Sequence, residues 1–230
     1  MKNDIIVVGF LYFIILCSYL LMLIPYDTFV TITKEDNLIE NMGALFFLLS
    51  TILFMYCYVM SKGSGNKFWK VKSNRNIFFL LLGIIFFFAF GEEISWGQRI
   101  FGWGSPEIME DVNRQHETNI HNLNFFMYNL SFERIFNLFW MTYCLLIPIL
   151  NKYSGTLRKY FNGLNLPIVP IWAGLLLLFN YILIHIIQYL QICETKRMLL
   201  GVLEIKETNF AFIIFAFALY WTVQKSYKKI

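Results

Sequence analysis

Residues 77–93 read IFFLLLGIIFFFAFGEE, an uninterrupted apolar run that ends in two adjacent carboxylates. The run from Ile77 to Phe90 carries no charge. A helix needs roughly 20 residues to cross about 30 Å of hydrocarbon. This one reaches that length only by taking Gly91, Glu92 and Glu93 to membrane depth and running on towards Trp96. A charge in hydrocarbon costs at least about 2.5 kcal/mol, so charged residues there face a bundle interior and are paired. Two readings of Glu92 and Glu93 follow. Either one of them pairs with Arg99 or Arg134 and ties helices together, or the two belong to a working site.

The rest of the chain repeats the pattern. Of its 230 residues, 58% are hydrophobic and 19% aromatic, far more than a soluble core of this size requires. Further apolar runs lie at Ile5–Ile24, Met42–Met60, Ile135–Leu150 and Leu166–Ile187, and a last one begins near Thr208 and ends at Val223. The sequence predicts an all-α integral membrane protein. It forms a six-span helical bundle, one domain over residues 1–230, with spans at about 5–24, 42–60, 77–96, 135–150, 166–187 and 208–223. Lys2 before the first run resembles a signal-peptide start. The run is longer than a signal core, however, and no small-x-small cleavage site follows it, so a retained span is expected. The four cysteines Cys17, Cys57, Cys144 and Cys193 share no metal-ligand spacing and read as small apolar side chains. The basic residues form no stripe, which argues against a nucleic-acid partner and leaves the lipid bilayer as the expected one.

Loop charges orient the expected bundle. Segment 61–76 carries Lys62, Lys67, Lys70, Lys72 and Arg75, and segment 151–165 carries Lys152, Arg158 and Lys159, with no acid in either. The C-terminal tail adds Lys225, Lys228 and Lys229, and the N-terminus adds Lys2. Six spans put all of these on one side, with Asp4 as that side's acid. The positive-inside rule then places both termini in the cytoplasm. Tyr26, Trp69, Trp103 and Tyr153 lie near span ends, where aromatic belts form.

The outer side gathers the polar residues that need a reason. On a continuing helix Glu92, Ser95, Trp96 and Arg99 share one face, and Gln98 lies beside them. The long outer loop, about residues 97–131, contains Ser105-Pro-Glu, which reads as the N-cap and first turn of a short interfacial helix. Beyond it, His116, Glu117 and His121 follow in a His-Glu-x-x-x-His spacing, one residue longer than the zincin motif. Two histidines with a carboxylate are suited to hold a divalent metal such as zinc, with Glu92 or Glu93 completing the shell, or to move protons without a metal. His185 has Ile on both sides and is expected to point inward, as a further ligand or a polar clamp.

Residues 91–102, GEEISWGQRIFG, followed by 117–122, ETNIHN, resemble the signature of a group of bacterial multi-span membrane proteins. That resemblance implies a bacterial plasma-membrane location and makes the cluster a shared feature, without supplying an activity. A looser similarity runs to the CAAX-type membrane proteases. Here, though, five residues rather than three separate Glu93 from Arg99, and Tyr181 stands for the Phe of Phe-x-x-x-His.

Two functions are consistent with these features. One is a membrane-embedded hydrolase or transferase acting on a lipid or lipid-linked substrate at the outer leaflet. Glu92, Glu93, Glu117 and His121 would be its catalytic candidates, Trp96, Gln98, Arg99 and Arg134 its substrate-binding candidates, and His116, His121, His185 and Glu93 its metal candidates. The other is a non-enzymatic interaction, sensor or transport protein.

Overall fold

The computed structural model describes residues 2–34, 37–63, 67–68, 71–104 and 132–227. Among them the architecture is helical apart from a ribbon of two-residue strands, β1 (Lys67–Phe68) paired antiparallel with β2 (Val71–Lys72). The helices are α1 (Lys2–Tyr19), α2 (Tyr26–Thr33), α3 (Leu38–Met60), α4 (Ile77–Glu93), α5 (Gln98–Phe101), α6 (Phe132–Phe139), α7 (Ile147–Tyr153), α8 (Gly155–Gly163), α9 (Ile171–Tyr189) and α10 (Lys196–Tyr227). A π-helical stretch, Trp140–Leu146, joins α6 to α7. Among the described residues, four stretches are long and apolar enough to cross a membrane: Ile6–Leu23, Tyr26–Met60, Glu133–Tyr153 and Ile171–Tyr189. α4 falls short at 17 residues, and the apolar part of α10 is bounded by Lys206 and Glu207 before it and Gln224 after it.

Several boundaries differ from the sequence expectation for local reasons. α4 stops at Glu93 instead of running to Trp96, because Ser95, Trp96 and Gly97 all take positive φ. α9 starts at Ile171 instead of Leu166, since Pro167 and Pro170 lack the N–H that helix propagation uses and Pro170 serves as N-cap. α10 begins at Lys196, well before Thr208, because its first three turns pack on α2. There a Cβ on Gly201 would lie 2.3 Å from Thr33 Oγ1 and 2.7 Å from Phe29, so only Gly allows the approach.

Ring contacts fix the directions of the helices. α3 and α10 run parallel: Ile39 meets Thr208, Phe46 meets Phe212 and Phe215, Phe54 meets Phe217, and Cys57 meets Thr222. α4 runs antiparallel to both, with Phe86 between Phe47 and Phe54 and Phe79 against Trp221. α9 runs antiparallel to α10, pairing Trp172 with Tyr220 and Asn180 with Lys206. It also runs antiparallel to the 132–153 rod, pairing Tyr181 with Trp140. Where Gly174 meets that rod, an added Cβ would lie 2.1 Å from the carbonyl oxygen of Cys144. Pro148, four residues on, cannot donate to that carbonyl, and the π-helical stretch sits where the proline ring would otherwise crowd the turn.

The basic loops meet at one end. Asn76 Nδ2 donates to the Asn165 carbonyl at 2.7 Å, and Arg75 lies 5.5 Å from the Tyr58 ring centroid. The acids Asp27, Glu40, Glu92, Glu93, Glu133, Glu194, Glu204 and Glu207 gather towards the opposite end. Phe10, Phe13 and Leu16 of α1, Leu20 just beyond it, and Phe87 and Phe88 of α4 are exposed. Such outward apolar faces suit contact with a lipid bilayer.

Candidate functional site

Trp96 folds back on α4 instead of continuing it. Its indole Nε1 donates to Glu92 Oε1 at 2.6 Å, and its ring stands edge-on to Phe87 and Phe88, with centroids 6.1 and 5.2 Å away. The reversal requires Ser95 (φ 47°) and Trp96 (φ 53°) in the left-handed region, which costs a non-Gly residue about 1–2 kcal/mol. It also requires Gly91, where a Cβ would sit 2.9 Å from the ring. Glu92 is thereby buried with one oxygen held by the indole, while Glu93 is half-buried. Glu92, Ser95, Trp96 and Arg99 therefore do not share the helical face expected for them. Gln98 is half-buried and begins α5 after the left-handed Gly97, and Arg99 follows it in that short helix.

A second polar group was not anticipated. Asn180 on α9 is fully buried; its Oδ1 accepts from Tyr19 OH (2.8 Å) and Asn209 Nδ2 (3.1 Å), and its Nδ2 donates to the Lys206 carbonyl (2.9 Å). Asn209 Nδ2 also reaches Ser18 Oγ at 2.8 Å. Every polar atom of Asn180 is thus used, so this network clamps α1, α9 and α10 together. Beside it the side chain of Lys206 is only 5% exposed, with its ammonium 2.9 Å from Glu133 Oε1 and 3.7 Å from Glu207. The amphipathic first turns of α10 concealed these residues in the sequence. The one signal available was an ionisable Lys206 within a polar turn just before the apolar stretch that opens at Phe210.

The two groups lie at one level of the bundle. Phe86 of α4 meets Phe139 of α6 at 6.0 Å. Glu92 and Glu133 each lie six residues beyond that contact towards the acidic end, about 9 Å at 1.5 Å per residue. The Glu133–Lys206 pair extends the layer to α10.

His185 does not point into the bundle. It is exposed, with its ring packed edge-on at 4.4 Å against Tyr181. The reason is its side of the helix: Ile182, Ile186 and Tyr189 share its outward face, while Ile184 and Ile187 at the same level are buried. Arg134 is exposed at the start of α6. Among the described residues no group of three His, Cys, Asp or Glu side chains is placed to hold a metal ion. His116, Glu117, His121 and the expected interfacial helix at 105–112 lie outside the described residues.

No family model, curated protein or solved structure matches the chain.

Proposed function

We propose that the chain is a six-span protein of the bacterial plasma membrane, with both termini cytoplasmic, that acts as a hydrolase or transferase on a lipid or lipid-linked substrate at the outer leaflet. The observation that carries this reading is the layer itself: a buried carboxylate, Glu92, held by Trp96, lies level with a buried cation, Lys206. A desolvated carboxylate suits general acid or base work, and a cation at the same level suits an anionic substrate group. The acidic end of the bundle is assigned to the outside because the Lys and Arg loops meet at the other end. Glu92 is the principal catalytic candidate and Glu93 its neighbour. His116, Glu117 and His121 are the loop residues that would bring a divalent metal such as zinc, or a proton carrier, over the layer.

The test compares bacterial cells producing the wild-type chain with cells producing Glu92→Gln at equal membrane levels. Lipid extracts are profiled by mass spectrometry, and detergent-purified wild type and His121→Ala are analysed for metal. The reading expects a lipid product with the wild type that is lost in Glu92→Gln. Identical lipid profiles, with no stoichiometric metal in the wild type, would sink it.

A further inference from the structure

We infer that Lys206 is the anchor for a phosphate-bearing lipid headgroup, and that Glu133 is the displaceable occupant that holds its ammonium in the absence of lipid. The inference rests on the lipid-substrate reading above and names the group that reading lacks.

The asymmetry of the pair is the starting point. Lys206 is 5% exposed in its side chain, whereas Glu133 is 61% exposed and the more distant Glu207 is 53% exposed. Burying both partners of an ion pair strengthens their attraction at the cost of two desolvations. Here the cation carries the desolvation and the carboxylates stay in contact with the surroundings. Removing the partner of a buried charge is costly, so Lys206 always needs an anion. Glu133 loses little hydration by staying and regains little by leaving, so another anion of higher charge exchanges with it readily. The Lys206 backbone is held by Asn180 Nδ2 and its side chain is packed out of solvent, which confines the ammonium while its partner changes. A lysine is a point-charge donor suited to phosphate oxygens.

The surroundings favour a headgroup that carries acyl chains. Ile135 and Leu138, on the same helix as Glu133, are exposed and apolar. Arg134, adjacent to Glu133, is also exposed and adds a second cation at the rim. A phosphate at the Glu133 position therefore has the Lys206 ammonium as its partner, and it sits at the end of a helix whose far side, through Ile135 and Leu138, faces lipid.

The experiment uses the full chain in a neutral detergent, titrated with fluorescent phosphatidic acid, with diacylglycerol of the same chains, and with inorganic phosphate as competitor. Lys206→Met keeps the side-chain length and removes the charge; Glu133→Gln removes the competing anion. The expected result is phosphatidic-acid affinity about tenfold tighter in Glu133→Gln and at least about tenfold weaker in Lys206→Met, with diacylglycerol binding far more weakly than phosphatidic acid. Competition by inorganic phosphate would identify free phosphate as a further source of the same group; its absence would confine the site to lipid phosphate. An unchanged affinity in either variant, or equal binding of diacylglycerol and phosphatidic acid, would overturn the assignment. If Lys206→Met does not fold, Glu133→Gln decides alone. Glu92→Gln separates the two proposals: intact phosphatidic-acid binding without any wild-type lipid turnover removes the enzymatic reading and leaves the anchor standing.

Discussion

Replacing Gly91 by Ala tests the fold-back of Trp96 directly. The new Cβ would sit 2.9 Å from the indole ring, which cannot retreat through α4 because Phe87 and Phe88 stand edge-on to it. The ring must swing away, and the hydrogen bond to the buried Glu92 breaks. A hydrogen bond to a charged group contributes about 1.5–3 kcal/mol. Ala is favoured over Gly in a helix interior by about 1 kcal/mol. The net expectation for Gly91→Ala is therefore a loss of about 0.5–2 kcal/mol. In a Trp96→Ala background the collision is gone and only the helix preference remains, so the same substitution should stabilise by about 1 kcal/mol. The coupling between the two sites is then about 1.5–3 kcal/mol. Reversible unfolding in mixed detergent micelles, followed by circular dichroism on the four proteins of the cycle, measures it. If Gly91→Ala has the same effect with and without the indole, Trp96 does not fold back over Gly91 and the geometry assigned to Glu92 is wrong.

Gly174→Ala should destabilise more than any other glycine exchange among the described residues, by about 3 kcal/mol or more, because its Cβ would meet backbone at 2.1 Å; Gly9→Ala, with nothing within 4 Å, is the neutral control in the same unfolding assay. Asn180→Leu removes three hydrogen bonds joining α1, α9 and α10. At about 0.6 kcal/mol per bond in a membrane protein, a loss near 2 kcal/mol is expected, and an unchanged unfolding midpoint would show that the network does not clamp the helices. Burial pushes the Cys193 thiol above its ordinary pKa. In a variant retaining Cys193 alone, maleimide labelling of folded protein should trail that of unfolded protein at neutral pH and catch up as pH rises through the raised value. Since the folded state keeps its proton longer, folding stability should fall slightly over that same window, and matching labelling profiles would contradict the burial.

The sequence alone established the material and its polarity. Runs such as Ile5–Ile24 and Met42–Met60 are long enough to be helices in hydrocarbon whatever they pack against, and the lysines of 61–76 and 151–165 mark one side by number alone. Both are one-dimensional properties, and the structure retains both: the helices form, and Asn76 and Asn165 bring the basic loops to one end. Facing was not legible, because helices that are apolar nearly all round carry no periodic stripe to say which side meets a neighbour. His185 therefore read as inward and stands exposed, while Lys206, which no pattern singled out, is buried. Nor could spacing show that Trp96 turns back. A helical face assumes continued helix, and the left-handed backbone at Ser95 and Trp96 is maintained by contacts with Gly91, Glu92, Phe87 and Phe88 that exist only once the chain has folded. The carboxylate at the end of the 77–93 run was visible from the start. That Glu92 is the buried one of the pair, held by an indole and level with a buried cation, was decided by packing between helices far apart in the sequence.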